Sequence, residues 1–298
     1  MKRSFLQIVR SYGFLAVAIA AFAAGLVFDR REDAGPAPEG RQESVSLVYV
    51  NWAEGIAMTN LVKVVLEDRM GYHVTMTMAD PAPLFTSLAS GDKDAFVDAW
   101  LPVTHGDYMD EYGDRVNDLG PNYRGARVGL VVPEYVQVNT IPELADHRDL
   151  FEGEITGIDS GAGIMKRTET AIDRYGLEYE LMASSGPAMT TSLKSAIRRE
   201  APVVVTGWRP HWMFARWKLK FLDDPKGVYG REEDLHTITR SGLAQDMPKL
   251  VDFLKAFELD SQQLGSLMGA IQESSGGPEQ AARGWAESHD ALVASWLP

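Results

Sequence analysis

The chain has no cysteine. That absence excludes a disulfide scaffold, a thiolate zinc site, an iron–sulfur cluster and a cysteine nucleophile. Histidine is sparse, with six in 298 residues. There is no H-E-x-x-H and no other metal-ligand spacing, so neither a metal nor a cofactor is expected. Positive charge is also short: 29 Lys and Arg face 42 Asp and Glu, for a formal net charge of −13. Such a chain repels phosphate backbones, which argues against nucleic acid as a partner. The surplus carboxylates are read as solvated surface. What the chain does have is apolar content. It is 45% hydrophobic and 24% charged, too apolar for a disordered chain and enough for one large core or two modest ones.

Long hydrophobic runs are nearly missing as well. The one long run, from Phe14 to Phe28, follows a positive segment carrying Lys2, Arg3 and Arg10, and Ala21-Phe22-Ala23 offers an A-x-A cleavage site. Residues 1–28 therefore read as a cleaved signal peptide or an uncleaved signal-anchor. Either one places the remainder outside the cytoplasm. Residues 29–44, DRREDAGPAPEGRQES, carry Pro, Gly and charge with almost nothing to bury, which is a linker composition.

From Val45 strands and helices alternate. SLVYV (46–50), HVTMTM (73–78), AFVDA (95–99) and RVGLVVP (127–133) read as strands, with helices over 56–69 and 81–89. The pattern repeats with strands ITGID (155–159), YELMA (179–183) and VVVTG (203–207) and helices over 164–175 and 188–200. Helices around 247–257, 261–273 and 278–297 complete the chain. Two βαβαβ sets with largely parallel sheets and a helical tail make an α/β architecture of two lobes.

Three predicted strands run into tryptophan: Trp52 after SLVYV, Trp100 after AFVDA and Trp208 after VVVTG. The last two share the pattern Trp-x-Pro, in which a helix-starting Pro would pin the indole at the strand–helix turn. A single Trp at a strand end usually closes a core. Three at equivalent positions, outside the carboxyl ends of strands where α/β proteins bind ligands, suggest a cage. Converging indole faces attract a cation without requiring a hydrogen bond, which suits a quaternary ammonium. Trp212, Trp217, Trp285 and Trp296 fall on predicted helices and read as packing residues.

An opposite pole is also present. Ser160-Gly161-Ala162-Gly163-Ile164 lies at a strand-to-helix turn, where free N–H groups bind anions. The full dinucleotide fingerprint is missing, because Lys166 stands where the third glycine would be. His105, five residues after Trp100, starts a predicted helix, where a lone histidine is more often a surface or capping residue than a ligand contact. A cage and an amide nest together match a zwitterion.

These segments resemble the substrate-binding proteins of glycine betaine ABC importers. The resemblance is carried by YVNWAEGIAMTN (49–60), DAWLPVTH (98–105), DLGPNYRGARVGLVVP (118–133), GIDSGAGIMK (157–166), SSGPAMT (184–190), VVVTGWRPHWMF (203–214) and DDPKGVYG (223–230). It implies a two-lobed, type II periplasmic-binding-protein fold with the ligand in the interlobe cleft. Residues 45–133 would begin lobe 1, 134–235 would form lobe 2, and 236–298 would return to lobe 1. It further implies that Trp52, Trp100 and Trp208 cage the ammonium. The Gly163 and Ile164 N–H groups and the His105 side chain would hold the carboxylate, with His211 behind Trp208. The pattern departs from the family at the N-terminus, which has no lipobox cysteine.

The expected function is that of a monomeric extracytoplasmic receptor that captures glycine betaine or a relative for osmoprotectant uptake and delivers it to an ABC permease. Choline, carnitine or proline betaine are alternative ligands, and a ligand-binding role in a signalling system is an alternative setting. An enzyme acting on such ligands would have to use Glu54, Asp98, His105 or His211. Ser160 lacks the G-x-S-x-G elbow, and the acidic residues read as solvated, so no catalysis is expected.

Overall fold

The computed structural model describes residues 43–298. The signal or anchor segment expected over 1–28 lies outside the described residues, as does nearly all of the linker expected over 29–44. Ser44, the linker's last residue, already belongs to the first strand.

The first half contains β1 (Ser44–Tyr49), α1 (Ala53–Met70), β2 (His73–Met78), α2 (Pro81–Ala89), β3 (Ala95–Leu101), α3 (Gly106–Tyr112) and β4 (Val116–Pro133). A 3₁₀ segment (Pro142–Phe151) leads to β5 (Glu154–Thr156), α4 (Gly163–Tyr175), β6 (Glu180–Met182), α5 (Gly186–Arg198) and β7 (Val205–Arg209). Then come α6 (Met213–Arg216), β8 (Leu219–Phe221), β9 (Glu233–Arg240) and α7 (Leu243–Asp246). The chain closes with α8 (Pro248–Ala256), α9 (Ser261–Glu273), α10 (Gly277–Ser288) and α11 (Asp290–Trp296).

The strands form two sheets, one per lobe, joined through β4. The first has the order β2-β1-β3-β9-β4, and the second β4-β7-β5-β6 with β8 also on β4. Within them β1 runs parallel to β2 and β3, and β5 parallel to β6 and β7. The expectation of largely parallel sheets fails elsewhere: β3–β9, β9–β4, β4–β7 and β4–β8 are all antiparallel. The reason is β4 and β9. The chain passes from one sheet to the other along β4 itself, and β9 brings it back beside β4 in the opposite direction. The sequence reading finds no strand at β9, nor at β8.

β4 changes sheets through local distortion. Its pairing with β9 shifts register three times between Asp118 and Ala126, and at Arg127 it begins to pair with β7. Bulges bend and twist a strand in this way. Gly125 sits at the turning point with φ +78, a conformation that costs a residue bearing Cβ about 1–2 kcal/mol.

α1 is buried around most of its circumference: Ala57, Met58, Leu61, Val62 and Leu66 are inaccessible to solvent. It packs on β1, β2 and β3 and also on α9 and α10, so it needs no polar face over much of its length. Gly71, at φ +73, closes it as the sequence suggests. The single helix expected over 278–297 is two, α10 and α11, broken at His289. Trp285 and Trp296 are buried on those helices, whereas Trp212 and Trp217 only flank the four-residue α6.

Candidate functional site

Trp52, Trp100 and Trp208 converge on one cavity of about 260 Å³, together with Glu54, Thr104, Val128, Ile158, Ala162, Gly163 and Ile164. The three indoles are 2–4% exposed. Trp52 precedes α1 as its N-terminal flanking residue. Trp100 and Trp208 are the penultimate residues of β3 and β7. The prolines after them start no helix. Pro102 and Pro210 lie in connecting turns, so strand pairing fixes these two indoles: Trp100 is opposite Leu235 of β9 and Trp208 opposite Val128 of β4.

Two buried carboxyl groups stand behind the indoles. Trp208 Nε1 donates to Glu54 Oε2 at 2.7 Å, and Trp100 Nε1 donates to Asp98 Oδ1 at 3.0 Å. Both acids are fully buried, which overturns their reading as solvated surface. Burial pushes Glu54 up to about 8 against the indole and backbone donors that lower it. Burial and then the charge of Glu54 raise Asp98 well above the ordinary range. Trp52 Nε1 makes no hydrogen bond, although the Asp159 carboxyl is near enough for that N–H to lower its pKa against the larger effect of burial.

The opposite pole is built on α4. Its first-turn N–H groups have no intrahelical acceptors, and Ala162 at the N-cap offers no side-chain cap. The amides of Gly163 and Ile164 are thus free donors at the positive end of a helix. Gly163 is required sterically: a Cβ there would stand 2.1 Å from the Thr104 carbonyl oxygen. Glu233 fixes that opposing loop by accepting from the N–H groups of Val103 (2.5 Å) and Thr104 (2.6 Å) and from the Thr104 hydroxyl. Nothing in the sequence marks Glu233, because it lies 129 residues from Thr104.

His105 flanks the N-terminus of α3 but is wholly buried, not a surface residue. It does not line the cavity directly. Its ring stacks on Trp52 at 5.6 Å and 17°, and Nδ1 accepts the Trp100 N–H at 2.9 Å. That bond leaves the proton on Nε2, which has no partner. Burial pushes the imidazole down to about 3, so it is a neutral donor. His211 packs edge-on against Trp208 at 4.8 Å and accepts from the Met213 N–H, and burial lowers it to about 3 as well.

The loop after β3 and the start of α4 also clasp each other directly. Lys166 pairs with Asp107, Arg167 Nη2 donates to the Val103 carbonyl at 3.0 Å, and Tyr108 Oη donates to the Gly161 carbonyl at 3.2 Å. The two sides of the cleft are therefore in contact around the cavity.

Residues 43–288 match the family described as the substrate binding domain of the ABC-type glycine betaine transport system. A glycine betaine/carnitine transport binding protein of Listeria monocytogenes is 45% identical over 145 residues, 48% of each chain, so the chain spans about half the length of that curated relative. Among solved structures, lactococcal OpuAC in its closed conformation with glycine betaine is 38% identical, with TM-score 0.81 over 86% of this chain and 100% of that one. The glycine betaine/L-proline-binding protein ProX of Borrelia burgdorferi is 37% identical, with TM-score 0.83 over 86% and 97%. A choline binding protein in complex with choline is 25% identical, with TM-score 0.79 over 85% and 91%. With the family match over most of the chain and solved relatives sharing its two-lobed architecture, this protein belongs to the substrate-binding domains of ABC-type glycine betaine transport systems.

Proposed function

We propose that the chain captures glycine betaine, or a close zwitterionic relative, and delivers it to the permease of an ABC importer for osmoprotectant uptake. The observation that carries this reading is the two-pole cavity. Three indoles line it together with the first turn of α4, whose amides lack acceptors, and the neutral imidazole of His105 packs behind Trp52 with its Nε2–H unpartnered. Trp52, Trp100 and Trp208 hold the quaternary ammonium, each desolvated face contributing roughly 1–2 kcal/mol. The Gly163 and Ile164 amides and His105 Nε2 hold the carboxylate, and His211 supports Trp208 from behind. Choline has no carboxylate and would leave those donors unsatisfied, which disfavours it.

Binding draws the lobes together because both contribute walls to the cage, so the ligand favours the closed state. Lobe 2 takes over within β4 at Arg127 rather than after 133, and lobe 1 resumes with β9 at Glu233 rather than at 236, since those are the residues that pair in each sheet. The protein works as a non-catalytic, monomeric receptor outside the cytoplasm, with residues 1–28 as its export signal or membrane anchor. No described helix is long and apolar enough to cross a membrane. The neutral His105 and carboxyl groups committed to indole N–H bonds support the absence of catalysis.

The test is calorimetric titration of the full chain, unfolded and refolded to strip carried-over ligand, with glycine betaine, choline and proline betaine in parallel. Micromolar or tighter betaine binding with much weaker choline binding is expected. Equal binding of choline would remove Gly163, Ile164 and His105 from the site, and no binding of any of the three would overturn the reading.

A further inference from the structure

Glu54 and Asp98 are more than supports for two indoles. Glu54 lies in the first turn of α1 and lines the cavity itself, and Asp98 lies on β3 beneath it. Gly55 lets the two carboxyl groups come together: a Cβ there would stand 2.6 Å from Asp98 Oδ2. Each acid gives one oxygen to an indole, and each keeps one fully buried oxygen, Glu54 Oε1 and Asp98 Oδ2, without a partner.

What faces the pair is almost entirely uncharged. From β3 and β7 come the indole N–H groups of Trp100 and Trp208, and from α1 comes the backbone of Glu54. Behind the indoles stand His105 and His211, both held neutral by burial. Among the described residues, no Lys or Arg acts on either acid, and the only charge felt by Asp98 is that of Glu54. Two carboxylates cannot both ionise there without a cation, because burial in low dielectric opposes each charge and each charge opposes the other. A ligand cation in the cage is the missing counter-charge. An ionised acid accepting from an indole N–H also makes that ring's face more negative.

We propose that Glu54 and Asp98 form a protonated acidic floor to the cage, and that a quaternary ammonium entering the cage displaces one proton from this pair to solvent. Within the cage the charges balance, one fixed cation entering as one proton leaves, while the ligand's carboxylate goes to the Gly163 and Ile164 amides. The inference rests on the betaine-binding reading above and deepens it. It makes the pair a determinant of specificity for a cationic head group over a neutral one of the same shape, and it makes affinity depend on pH. The deprotonated floor binds the cation better, so affinity rises with pH until the pair is ionised without ligand. His105 does not contribute to that slope, because it stays neutral throughout the range.

The experiment is calorimetry of the full chain with glycine betaine near neutral pH, in phosphate and in Tris, whose ionisation enthalpies differ. A released proton is taken up by the buffer, so the observed heats differ by the difference in ionisation enthalpy times the number of protons released. The expected release approaches one proton per betaine, with affinity rising toward tenfold per pH unit below the titration of the pair. The same measurement with 3,3-dimethylbutanoate, which has a neutral tert-butyl head and the same carboxylate, is expected to show no release. Glu54→Gln keeps an acceptor for the Trp208 indole but is expected to lose most of both the release and the pH slope. Betaine binding to the wild-type chain with identical heats in both buffers overturns the inference while leaving the receptor reading intact. Absence of betaine binding overturns both.

Discussion

Replacing Trp208 separates two contributions that the structure superimposes: the indole face in the cage and the N–H bond to Glu54. Trp208→Ala removes both. A desolvated cation–π face is worth about 2 kcal/mol. The 2.7 Å bond joins β7 in one sheet to α1 against the other, so it counts toward closure and adds about 1 kcal/mol net. The sum of about 3 kcal/mol predicts betaine binding weaker by about two orders of magnitude. Trp208→Phe keeps a ring face but leaves Glu54 Oε2 without its donor, and the expected loss is about tenfold. Calorimetry gives the two affinities, and thermal melting of each ligand-free variant shows that the fold persists at the assay temperature. A folded Trp208→Ala variant within about threefold of wild type would refute the cage, since no account of a desolvated face in contact with the cation permits so small a change.

Three further outcomes are expected. Gly163→Ala places a methyl against the Thr104 carbonyl; overpacking of this kind costs about 1–3 kcal/mol, so betaine affinity should fall about 10- to 100-fold with unchanged melting of the free protein. Unchanged affinity would mean that α4 and the Thr104 loop need not approach in the bound state. His105→Ala should weaken betaine more than choline: both lose the support of the ring stacked on Trp52, and only betaine loses a hydrogen bond to a charged group; equal loss for both ligands would assign His105 to packing alone. Stability of the ligand-free protein should fall as pH rises from 6.5 toward about 8. His105 and His211, lowered by burial to about 3, contribute stability that is complete above 6.5 and is lost as pH falls toward 3. Glu54, raised by burial from 4.5 to about 8, contributes stability that is complete below 4.5 and is lost as pH rises through about 8. Of these groups, only Glu54 acts above 6.5, with a slope of up to about 1.4 kcal/mol per pH unit. Urea midpoints across that range measure the slope, and a flat profile in the wild type would refute the assigned burial effect.

Features that depend on near neighbours were legible in the chain before folding. The α/β alternation, the close of α1 at Gly71, α9 at Ser261–Glu273 and the start of α4 after Ala162 follow from local periodicity and caps. The three tryptophans stood out because each ends a strand, and motif resemblance assigned them to one cage. Features that depend on distant pairing emerge once the segments pack together. β9 reads as an unremarkable polar segment until it lies between β3 and β4, and its antiparallel course makes the first sheet mixed, as β4 against β7 and β8 does the second. Glu54 occupies an ordinary first-turn position for an acid; its burial comes from Trp208, 154 residues away, which covers it and donates to it. Asp98 is the single charged residue of the otherwise apolar strand AFVDAWL, and it is buried with every other residue of β3 because both faces of that strand are covered. Burial, unlike helix or strand character, belongs to the packing of several segments at once. It sets the charge state of the carboxyl pair and of His105, and so the chemistry at both poles of the cavity.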